Sequence, residues 1–258
     1  MVEKLREKYQ KQLKSDPRKE FSSEFVRTTD LERHLVDEYG FEAIRLILED
    51  SNSINYYPLG FLPDDCPWGY LNGLDIKTAI ETIFTPVEND TRLLINTLCQ
   101  RCSHLYAEKI DSAWVLHYFL DMTLYDGRPY YQIYSGGSPN RTPEPNASLI
   151  KYDWSIPTDL ARLYAVHDGF GPILNSNQIT VMAQMMDPIC QEQDVYPEDY
   201  RFSDLLEFHP DGGGNAQCFY RNDGELTTVD WDHEIWGISG SQSFFSYIDE
   251  QLSQLDEE

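Results

Sequence analysis

Apolar positions recur at helical spacing in several stretches of the chain and alternate in others. Leu94, Ile95, Leu98, Cys102 and Leu105 make one stripe, which predicts a helix from about Asn89 to Lys109 with Asp90 in its first turn. Residues 2–14 read as an exposed charged helix ended by Ser15-Asp16-Pro17. Leu31, Leu35, Val36, Ile44, Leu46 and Ile47 read as two short helices, or one kinked one, around Gly40. Asp75 is placed to cap a helix over 76–84 that stops near Pro86. Pro157 suits the first turn of a helix with Leu160, Leu163 and Tyr164 inside. It should end at Asp168-Gly169, where glycine tolerates the left-handed conformation. A last amphipathic helix over 243–255 carries Phe244, Phe245, Ile248, Leu252 and Leu255 on one side.

The strand patterns are shorter. Segments 112–124 and 129–134 are rich in β-branched and aromatic residues and pair around Asp126-Gly127. Segments 178–183, 203–208, 216–221 and 226–231 are separated by Pro or Gly turns. The expected fold class is α+β: a mainly antiparallel sheet of short strands flanked by helices, with a mostly helical N-terminal region. Residues 135–148, rich in Gly, Ser, Pro and Asn, read as a linker. They divide the chain into an N-terminal region of unknown function, 1–150, and an α+β domain, 151–258.

Composition changes this picture through charge. The 258 residues carry 44 acidic and 20 basic side chains, net −24, with 17 Tyr and 12 Phe. Such aromatic content argues against intrinsic disorder, and such acidity against a phosphate-neutralising nucleic-acid binder. The excess is uneven: residues 151–258 hold 4 basic against 21 acidic side chains, net −17. Any macromolecular partner is therefore expected to be basic. The N-terminus lacks a signal-peptide core, no apolar run is long enough to span a membrane, and the five scattered cysteines suit reduced thiols. These features predict a cytoplasmic protein that binds neither membrane nor nucleic acid.

Three constellations bear on chemistry. Cys99-x-x-Cys102-x-His104 can share a helical face, but tetrahedral zinc needs further ligands and Cys102 already fits the apolar stripe, so core packing is the reading. His209-Pro210-Asp211-Gly212-Gly213-Gly214-Asn215 is glycine-rich but lacks the Lys of a phosphate loop and precedes a strand, which reads as a turn. Asp230-Trp231-Asp232-His233-Glu234 is the most polar. On a strand, Asp230, Asp232 and Glu234 would share one side and Trp231 and His233 the other. Three carboxylates on one face suit a cation site, a partner-binding patch or a wet strand face. No motif points to catalysis, a cofactor or a defined metal site.

Two further patterns carry a resemblance. Ile156-Pro157-Thr158-Asp159-Leu160-Ala161-Arg162-Leu163-Tyr164-Ala165-Val166-His167-Asp168-Gly169-Phe170-Gly171 resembles the Leu-Pro, helix, Asn-Gly-Gly opening of the SUKH superfamily, with Asp168 where Asn is usual. Asp211 to Asn215 leads into a strand ending in Phe219-Tyr220, a turn at Asp223-Gly224, the strand into Val229–Glu234, and a helix after Ser243-Phe244. This order is similar to that family over about 151–258. The superfamily includes fungal cell-wall-synthesis regulators and bacterial immunity proteins.

The resemblance implies a non-enzymatic protein-binding module, an immunity-type protein that neutralises a basic toxin or nuclease domain through an acidic surface. Asp211, Asp230, Asp232 and Glu234 are the expected partner-binding residues. The rival readings are a signalling or cell-wall scaffold, and a metal-assisted hydrolase using Asp230, Asp232, His233 and Glu234.

Overall fold

The computed structural model describes residues 55–123 and 129–253, so the expected helices over 2–14 and 30–50 lie outside the described residues. The fold is α+β: the described residues form two antiparallel sheets and six α-helices. The described residues cluster into two compact units, one of 55–76, 101–123 and 129–133 and one of 77–100 and 134–253. The second unit thus holds the whole of 151–253 and also takes in 77–100 and 134–150.

The four-stranded sheet has the order β1 (Asn55–Pro58), β2 (Cys102–Ile110), β3 (Ala113–Thr123), β4 (Pro129–Gly137), and the first unit holds β1 to β3 and β4 as far as Ile133. β2 and β3 form a hairpin that pairs Ile110 with Ala113 around Asp111, whose φ of 53° suits the tight turn. Leu105, Ala107, Trp114, Leu116 and Tyr118 are buried on this pair. The turn-rich stretch after β1 is held by Asn72, whose side chain accepts from Leu62 N at 2.9 Å and donates to Leu62 O at 2.8 Å.

The helix expected over 89–109 is corrected here. It stops at Arg101, and the residues after it form β2. Leu98, Cys102 and Leu105 fit a helical stripe, but Leu105, Tyr106 and Ala107 also suit a strand buried on both faces. Pairing with β3 satisfies that second reading across eight register pairs.

In the second unit, α1 (Ile76–Phe84) buries Ala79, Ile80, Ile83 and Phe84. α2 (Arg92–Arg101) receives its cap from far away: Asp249 Oδ1 accepts from Leu94 N at 2.9 Å. After β4 come α3 (Ala147–Lys151) and α4 (Thr158–Tyr164), then a five-stranded meander in sequence order. Its strands are β5 (Thr180–Val181), β6 (Leu205–Pro210), β7 (Ala216–Asn222), β8 (Glu225–Asp232) and β9 (Gly237–Gln242). α5 (Ala183–Gln193) follows β5, and α6 (Phe244–Gln251) closes the fold. Strand alternation sorts the aromatics. Phe219 packs with Phe208 and Phe244, whereas Trp231 packs with Phe202.

The expected linker is a hydrogen-bonded part of this unit. Asn140 donates to Asp168 Oδ2 and Ser176 Oγ. Asn146 accepts from Ser148 N and Leu149 N to cap α3, and donates to the carbonyls of Ser176 and Ile179. Asp168 accepts from both the amide and the hydroxyl of Ser176, each at 2.7 Å. Gly169 takes φ +81°, the left-handed turn expected after α4. The composition that suggests flexibility also supplies short side chains that satisfy irregular backbone.

Candidate functional site

β6 and β8 run the same way, because each is antiparallel to β7. The loop after β6 and the turn after β8 therefore emerge at one end of the sheet. This topology gathers three of the four expected partner-binding residues, Asp211, Asp232 and Glu234, and it sets each to a different task.

Asp211 folds its own loop. Its carboxylate accepts from Gly213 N at 2.7 Å and Asn215 N at 2.9 Å, and its amide donates to Asn215 O. The Gly213 amide, with further help from Asn215 and Gly214, holds the Asp211 carboxyl below the usual range. Asp232 ends β8 and caps the following turn, accepting from Glu234 N at 2.8 Å. Glu234 lies in that turn, exposed. The expected single carboxylate face does not extend to Glu234, because the strand stops at Asp232. Asp230 is exposed on β8 opposite Ser239, and a Cβ on Gly240 would come within 2.9 Å of its carboxylate.

The two loops are joined. Asn215 Oδ1 accepts from the His233 amide at 3.1 Å and lies 2.8 Å from His233 Nδ1. Since the amide N–H fixes that atom as an oxygen, Nδ1 carries a proton. Next to the β6 loop, His209 Nδ1 is hydrogen-bonded with the Tyr247 hydroxyl. Burial lowers the His209 pKa against the pull of Asp211, and burial, then Asp230, raises that of Tyr247.

A third segment reaches this end. Trp231 Nε1 donates to the Tyr200 hydroxyl, which donates to the carbonyl of Trp236, both at 3.0 Å. These bonds bring the segment leaving α5 beside the turn that carries Glu234 and Ile235. Sequence reading missed α5 altogether. Pro188 inside it removes one helical hydrogen bond and breaks the pattern by which a helix is recognised. The available signal was apolar spacing at Met182, Met185, Met186, Ile189 and Cys190.

The electrostatics of this region follow from how the cations are used. Lys151 lies over Tyr152 and donates to its hydroxyl. Arg162 pairs with Asp90 and Asp159 and stacks on Phe245. Arg201 grips Asp204 through two nitrogens, at 2.8 and 3.2 Å. Arg221 lies 3.6 Å from the same carboxylate, stacks on Trp154 and donates to Asp153 O. All four basic side chains of 151–258 are thus engaged within the unit. Asp204 is the one carboxylate after Arg162 that receives any of them, among the described residues.

Among the described residues, no group of three or more His, Cys, Asp or Glu side chains is placed to hold a metal ion. Asp230, Asp232, His233 and Glu234 do not converge. Cys99 lies in α2 while Cys102 opens β2, so the shared helical face that a Cys-x-x-Cys site would use is missing. Of the five cysteines, Cys66, Cys102, Cys190 and Cys218 are buried and Cys99 is half-buried. No helix among the described residues is long and apolar enough to cross a membrane. Compared with protein-family models, curated proteins and solved structures, the chain matches none.

Proposed function

We propose that this chain is a non-enzymatic protein-binding module, an immunity-type protein that binds and neutralises a basic toxin domain through the acidic surface of its second unit. One observation carries the reading. The few cations of 151–258 are consumed by internal partners, so among the described residues no ion pair compensates the carboxylates around the loop end of the sheet. Uncompensated charge of one sign raises association rates with an opposite-sign partner and disfavours like-charged ones. The resemblance of 151–258 to the SUKH superfamily supports the same reading. The separation of Asp230, Asp232, His233 and Glu234 gives the hydrolase alternative no assembled site.

The test uses the products of the reading frames adjacent to this one. A product that is toxic alone should be tolerated when co-expressed with the full chain, and should co-purify with it. If none of the adjacent products forms a complex with the full chain at about 0.1 M ionic strength, the reading is wrong.

A further inference from the structure

α5 is apolar on two sides. Ala183, Met186 and Cys190 face inward and are buried. Met185 and Ile189, one helical turn apart, are 44% and 39% exposed, and Pro188 between them is also exposed. A surface helix ordinarily turns polar groups outward, so an apolar outer stripe marks a face that something else covers. The stripe continues beyond the helix. Asp194 takes a left-handed φ of 53°, and Val195 and Tyr196 follow at 50% and 55% exposure. The Tyr200–Trp236 bond then brings up the turn holding Ile235, which is 77% exposed.

The surroundings of these side chains have one sign. Asp187, Glu192, Asp194, Glu198 and Asp199 lie among them, and no Lys or Arg occurs between Arg162 and Arg201. The two cations that bracket the segment are already held by Asp90, Asp159 and Asp204. A second copy of this chain would bring the same charge to the contact and be repelled. An apolar stripe ringed by uncompensated carboxylates fits a polypeptide with apolar anchors flanked by Lys or Arg.

We infer that the outer face of α5, with Val195, Tyr196 and Ile235, docks a basic amphipathic segment of the partner. This inference rests on the protein-binding reading and names its contact surface, which sequence reading had placed on Asp211, Asp230, Asp232 and Glu234.

The experiment titrates the full chain with two synthetic helical peptides of about 15 residues, one patterned in Leu and Lys and the other in Leu and Glu. The Leu/Lys peptide should bind and the Leu/Glu peptide should not. Met185→Gln with Ile189→Gln should weaken binding about tenfold or more. Leu226→Gln, an exposed apolar residue at the other end of β8, should leave it unchanged. Val195→Gln with Tyr196→Gln provides a second pair, also on exposed positions, should the first disturb α5. Equal binding of both peptides, binding of neither, or undiminished binding by both double variants would overturn the inference. In each case the wider reading still stands or falls on the adjacent-gene complex.

Discussion

The second unit contains two regions that treat their side chains in opposite ways. Around the junction of β4 with α4, polar groups are turned inward and satisfied there. His167 is fully buried, stacked on Phe170 with its Nδ1 3.1 Å from Gly137 O, and Asp168 gathers Ser176 and Asn140. On the outer face of α5, and at Val195 and Tyr196 after it, apolar side chains are exposed. The first arrangement stabilises the fold, because every buried polar atom removed would strand its partner. The second contributes little to the fold, and under the proposed reading it serves contact with a partner. Stability and recognition are therefore expected to separate cleanly by mutation.

The largest effect is expected at Gly136. A Cβ there would lie 2.4 Å from the His167 ring, which is walled in by Phe84 and Phe170. Gly136→Ala should destabilise by about 3 kcal/mol or more in chemical denaturation. A loss under about 1 kcal/mol would mean that the ring has room to move and the region is loosely packed.

His167 should also dominate part of the acid response. Burial lowers its pKa from 6.5 to about 4, with the Gly137 carbonyl pulling weakly the other way. As pH falls, the unfolded chain takes up the proton first. The contribution is therefore complete above about pH 6.5 and is lost between there and about pH 4, amounting to roughly 3 kcal/mol. His167→Phe should flatten the stability profile in that window by close to one proton. An unchanged slope would show that His167 is not held neutral. His209, also lowered by burial, acts in the same direction, so the difference between wild type and variant is the quantity to read.

Asp168→Ala should cost about 2 kcal/mol by removing the acceptor for Ser176 and Asn140. Thermal unfolding that matched wild type would make the network dispensable. At the small end, Met185→Gln with Ile189→Gln should change stability by less than about 0.5 kcal/mol, since both side chains already face solvent. A large loss would place them in the core and erase the contrast.

The legibility of this chain followed the same division. Elements whose apolar face meets the core were readable: α1, α4, α6 and the strands β3 and β6 to β8 lie close to where periodicity placed them. Reading failed where a helical stripe runs into a strand buried on both faces, as at Leu98, Cys102 and Leu105, and tertiary pairing decided between them. It failed again at 138–146, where Asn140 and Asn146 act through partners some 30 residues away. α5 was invisible because its apolar residues point both ways and Pro188 interrupts it. The acidic residues were found, but their neighbours were not. No sequence pattern says that Asp211 folds its own loop, or that Arg201 and Arg221 share one carboxylate.

The most direct measurement is the affinity of the full chain for its adjacent-gene partner at about 0.1 M and about 1 M ionic strength, where the screening length falls from about 10 Å to about 3 Å. Binding should weaken steeply with salt, and the Met185→Gln, Ile189→Gln variant should bind more weakly at both strengths. Affinity unchanged by salt and by that variant would contradict the proposed function.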